Sequence, residues 1–148
     1  MPPPMVQVPS IILPQQWEMG TETETINDSA EHPSIDIPIE YLQEKTIHIL
    51  ATEVVVAGVP GNLWCWVELS PVSSSVSTSY WSAIGGGGGA LAPVAPVIEA
   101  GTGVMGTVHT FTISWTVHSA YARLVVQTPS PVATAYWVVQ ALVSAKTP

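Results

Sequence analysis

Three lysines and arginines in 148 residues are too few to hold a phosphate backbone, because such binding runs through clusters of cationic side chains. Set against 11 Asp and Glu they leave a formal charge of −8, so no nucleic acid partner is expected. Charges of either sign are scarce, 9% of the chain against about a quarter in an average domain, which predicts a surface that is neutral or covered by other protein. The single cysteine, Cys65, rules out an intrachain disulfide. Flanked by Trp64 and Trp66, with no charged neighbour to lower its pKa, it reads as a packed thiol. No apolar run approaches the roughly 20 residues of a membrane span, so no membrane partner is expected. Met1 to Val8 lacks a basic segment, and Pro9 and Pro14 flank Ile11, Ile12 and Leu13, so no signal peptide is recognisable and a soluble chain is expected.

What is present is unevenly placed. Glu18, Glu22, Glu24, Asp28, Glu31, Asp36, Glu40 and Glu44 all precede the first lysine, Lys45; beyond them Glu53, Glu68 and Glu99 balance Lys45, Arg123 and Lys146. Seven of the 14 prolines also fall in the first 44 residues. This shift divides the chain into an extended, acidic, proline-rich arm over residues 1–33 and a domain over residues 34–148. The arm carries Val6, Val8, Ile11, Ile12, Leu13 and Trp17, more apolar content than a solvated tail needs, and these six are the candidate interface residues. Thr21 to Thr25 alternates as a strand does but is polar on both faces, so it is expected to order only against a partner.

In the domain the hydrophobic period is two. Ile35, Ile37 and Ile39 share one face, with Pro38 placing that segment at a sheet edge. Ile47 to Ala57 ends in the turn formers Gly58 to Asn62. Leu63, Cys65, Val67 and Leu69 line one face of the next strand, with Trp64, Trp66 and Glu68 on the other. A Ser/Thr-rich stretch leads to Gly85 through Gly89, then to a short strand at Val97 to Glu99. Thr107 to Val117 alternates without a break, and Tyr121 to Thr128 and Ala133 to Ala145 follow it. Seven to eight strands with no convincing helical period predict an all-β fold, an antiparallel β-sandwich or jelly roll.

Catalytic and cofactor motifs fail their context tests. Gly101-Thr102-Gly103-Val104-Met105-Gly106 fits a dinucleotide pattern, but a strand follows it instead of a helix, and no Asp or Glu succeeds Glu99 to hold a ribose. Gly85 to Gly89 lacks the Lys-Ser/Thr ending of a phosphate loop. His32, His48, His109 and His118 lack metal-ligand spacing and read as ordinary packed or surface histidines. A hydrolase would have to draw on Glu53, Glu68, Glu99 or a histidine, whose proximity sequence does not give. No cofactor, metal or catalytic residue is assigned, and a non-enzymatic role is expected.

Trp64, Trp66, Tyr80 and Trp81 form the remaining candidate site. They suit either a glycan-stacking platform or, given the neutral domain, a subunit interface. An acidic arm ahead of a neutral, Ser/Thr/Gly-rich sandwich resembles, in general character, the decoration, fibre and tail proteins of tailed-phage virions. That resemblance implies a homo-oligomeric subunit made in the host cytoplasm, which laces onto neighbouring structural proteins by its arm and ends in the virion. The alternatives are an extracellular filament or surface component and a carbohydrate-binding module.

Overall fold

The computed structural model describes residues 16–84 and 96–146. Ten strands lie among the described residues: β1 (Glu24–Ile26), β2 (His32–Pro33), β3 (Ile37–Pro38), β4 (Lys45–Val55), β5 (Leu63–Ser70), β6 (Ser82–Ala83), β7 (Val97–Glu99), β8 (Val108–Trp115), β9 (Tyr121–Gln127) and β10 (Ala135–Ala145). They form two sheets, one in the order β1-β10-β4-β8 and one built on β2-β9-β5-β6. All strand pairings are antiparallel.

The second sheet has broken edges. Beside β9, β2 and β3 occupy successive lengths of one edge; beside β5, β6 and β7 occupy two lengths of the other. Prolines explain the first break, because Pro33 and Pro38 donate no hydrogen bond and are tolerated only at an edge. Counting each broken edge as one strand leaves eight. The first then pairs with the eighth, the second with the seventh, the third with the sixth and the fourth with the fifth, which is the wiring of a jelly roll. The expected sandwich or jelly roll of seven to eight strands is thus an eight-position jelly roll.

Alternation along each strand separates core from outer surface. Ile47, Ile49 and Ala51 of β4, with Trp137, Val139 and Ala141 of β10, face Leu63, Cys65 and Val67 of β5 and Ala122, Leu124 and Val126 of β9. Burial pushes the Cys65 thiol pKa well up, as expected of a packed residue. β8 ends at Trp115, short of Val117, because the Val117 carbonyl turns to accept from Lys45 Nζ at 3.0 Å.

The structure also redraws the start of the domain. Trp17 is 2% exposed, belongs to the core, and donates its indole N–H to His32 O. Glu24–Ile26 pairs in register with Trp137–Val139 of the same chain, so this segment needs no partner to order. Residues 17–33 therefore form part of the sandwich, because the single apolar side chains Trp17, Met19 and Ile26 supply burial that their polar neighbours conceal. Val6, Val8, Ile11, Ile12 and Leu13 lie outside the described residues, as do Gly85 to Gly89.

Candidate functional site

Three places on the molecule hold the chemistry. The first is a carboxylate sealed inside the sandwich. Glu53 sits near the end of β4, on the same face as Ile47, Ile49 and Ala51, with no exposed surface. Its oxygens accept from Thr102 N (2.9 Å) and Oγ1 (2.8 Å), Gly103 N (2.9 Å) and His109 Nε2 (2.7 Å). The glycine pattern of residues 101–106 is thus an anion cradle whose anion is the protein's own side chain. Gly101 is required there, since a Cβ would meet Pro60 Cγ at 2.6 Å. His109 Nδ1 lies 2.8 Å from Glu99 Oε1. Carboxylates only accept, so both bonds form together only on the doubly protonated ring.

The electrostatics follow from these contacts. Burial opposes ionisation of Glu53, but the hydrogen bonds from His109, Thr102 and Gly103 outweigh it and hold the pKa at about 2. Burial likewise opposes the charge on His109, and Glu53 and Glu99 outweigh it, so the imidazole pKa is raised. Of the three carboxylates that follow Lys45, Glu53 and Glu99 are brought together by His109, while Glu68 lies on the outer face of the other sheet. Sequence reasoning passed over the pair. The available signal was the parity of Glu53, which puts a carboxylate on the apolar face of β4, and that of His109, which does the same on β8. Chemically the cluster is a closed clamp on the 101–107 turn, with every Glu53 oxygen engaged.

The second place holds the predicted aromatic residues, on the outer face of β5 and β9. Trp66 is only 4% exposed and donates its indole N–H to Glu68 Oε2 at 3.2 Å. Arg123, opposite Glu68 in register, donates to Glu68 Oε1 from both Nε and Nη2 and lies 4.3 Å above the Trp81 ring. Trp81 in turn donates to Ser74 Oγ, and Ser74 donates its N–H and Oγ–H to the buried Asp36. Trp64 is half-buried and Tyr80 is 59% exposed. The chain's own 70–84 segment therefore engages this face.

The third place is the outer face of the β1-β10-β4-β8 sheet. Outward positions are Thr46, His48, Leu50, Thr52 and Val54 on β4, Tyr136, Val138, Gln140, Leu142 and Ser144 on β10, and Val108, Thr110, Thr112 and Ser114 on β8. None is Asp, Glu, Lys or Arg. His48 bonds Ser144 Oγ at 3.0 Å and Thr46 bonds Ser114 Oγ at 2.9 Å, so short polar ladders run across the sheet. An open groove of about 600 Å³ runs over its centre, flanked by His48, Leu50, Thr110, Thr112, Gln140 and Leu142.

Among the described residues, no group of His, Cys, Asp and Glu is arranged to hold a metal ion, and no helix is long and apolar enough to cross a membrane. No protein-family model, curated protein or solved structure matches the chain.

Proposed function

We propose that this protein is a non-enzymatic structural subunit of a large assembly, packing on its own copies through the neutral outer face of the β1-β10-β4-β8 sheet. One observation carries the reading: fourteen outward positions on three adjacent strands hold no Asp, Glu, Lys or Arg, on a molecule of formal charge −8. A like-charged surface keeps copies apart, whereas a neutral face lets them approach, and charge is depleted at interface cores generally. The proline-rich beginning, with Val6, Val8, Ile11, Ile12 and Leu13, then serves attachment to neighbouring proteins. A capsid-decorating or appendage role in a virion follows the compositional resemblance. Jelly rolls build capsid and lectin domains alike, so the wiring itself selects neither.

The glycan-binding alternative has less support. A stacking platform needs open ring faces, and here Trp66 is covered while Trp81 carries a guanidinium. The experiment is the native mass of the full-length chain by light scattering across concentration. A defined oligomer is expected, and Leu142→Glu should dissociate it without altering the far-ultraviolet spectrum, because Leu142 is 45% exposed and its replacement leaves the core intact. A monomer at every concentration overturns the reading.

A further inference from the structure

We propose that the free edge of β8 pairs with the β8 edge of a second copy about a two-fold axis, fusing two four-stranded sheets into one of eight strands. The inference rests on the assembly reading and adds, beside the neutral sheet face, a second surface through which copies join.

Exposed edges invite pairing with other chains, and proteins blunt them with short strands, prolines or charge. Three of the four edges here are blunted. β1 has three residues and carries Glu24; β2 and β3 contain Pro33 and Pro38; β6 and β7 are two and three residues long. β8 runs for eight residues, Val-His-Thr-Phe-Thr-Ile-Ser-Trp, with no proline and no Asp, Glu, Lys or Arg. Its only described strand partner is β4.

The free groups can be named. Glu53 N–H donates to Thr107 O across the β4–β8 ladder. Alternation of an antiparallel ladder then turns the N–H and C=O groups of Val108, Thr110, Thr112 and Ser114 toward the open edge. The side chains tell the same story. Phe111 and Ile113 point into the sandwich yet remain half-buried, while their register partners Ile49 and Ile47 on β4 are sealed. A further strand beyond β8 would cover both.

The sequence of β8 is complementary to itself. Antiparallel pairing centred on Thr112 sets Thr110 against Ser114 and Phe111 against Ile113; centring on Phe111 sets Thr110 against Thr112 and His109 against Ile113. Neither register opposes like charges, and hydroxyl and aromatic–aliphatic pairs are favourable across strands. A one-residue slip opposes inward to outward side chains and is excluded. His109 is already held by Glu53 and Glu99 of its own chain. Glu24 lies at the opposite edge, three strand spacings or about 14 Å away, beyond a Debye length at physiological salt.

The test uses the full chain carrying Thr112→Cys and a short bismaleimide. Cys65 is sealed in the core, so only the introduced thiol reacts. A covalent dimer is expected from Thr112→Cys, with at least tenfold less from Thr25→Cys at the β1 edge. Thr112→Pro removes an edge-facing N–H without touching the β4 ladder, and should weaken association at least tenfold. Thr112→Lys gives the same result should the proline variant fail to fold. An oligomer that Leu142→Glu dissociates, but that survives Thr112→Pro and Thr112→Lys and gives no cross-link in the Thr112→Cys variant, overturns the edge and leaves the assembly reading standing. A monomer throughout overturns both.

Discussion

A carboxylate with no exposed surface persists in a sandwich core only where other groups replace water, and Glu53 has Thr102, Gly103 and His109 around it. Glu53→Gln keeps the shape but sets an amide N–H₂ among donors, so it should destabilise the fold by about 3 kcal/mol in urea denaturation. The pH dependence follows from the same contacts. Glu53 falls from its ordinary 4.5 to about 2 in the folded protein, so its contribution is present above 4.5 and disappears as the pH drops toward 2. The His109 pKa is raised above 6.5, so its contribution is present below 6.5 and disappears as the pH climbs through the raised value. Together they place maximal melting temperature between about pH 4.5 and 6.5. His109→Gln should flatten the limb above pH 6.5, and a melting profile unchanged on that side would show that His109 does not set it. This cluster was not legible in the sequence, because Glu53 and His109 are 56 residues apart and meet only through the β4–β8 register.

At the scale of elements, legibility tracked strand length. β5 and β8 show a sustained period of two and were readable from alternation, while β4, β9 and β10 were readable as apolar, β-branched runs bounded by turn formers. β1, β2 and β6 are two or three residues long, too short to show a period, and they hold their places by pairing with strands distant in sequence, whereas β3 was readable through the longer alternation of Ile35, Ile37 and Ile39 around it. The same shortness hid the true start of the domain. Removing residues 1–33 deletes Trp17, Met19 and Ile26 from the core together with β1 and β2, so a chain beginning at Ser34 should lose cooperative thermal unfolding. A chain beginning at Gln16 should keep it, and is the proper vehicle for testing attachment by the preceding segment. Trp17→Ala alone should cost 3–5 kcal/mol, about the usual loss for a large aromatic in a core, as read by denaturant midpoint at constant slope. A loss under about 1 kcal/mol would return Trp17 to the surface arm.

For the whole molecule, composition reported one property that no single strand shows, the confinement of the net charge to one part of the chain. The eight acids ahead of Lys45 carry the whole net charge, and the outer face of β4, β8 and β10 carries none. Which face would be neutral was invisible beforehand, since it depends on the jelly-roll order that sets β8 and β10 on either side of β4. The consequence is a sign for the salt dependence of assembly. An interface held by ion pairs weakens as salt screens them, but copies of charge −8 that meet through a neutral face are opposed only by long-range repulsion. Raising sodium chloride from about 0.05 M to about 0.5 M shortens the Debye length from roughly 14 Å to roughly 4 Å, which removes that repulsion and leaves the apolar and main-chain contacts intact. Sedimentation should therefore show tighter self-association at the higher salt, whereas dissociation by salt would mean that ion pairs hold the interface and would place it away from this sheet.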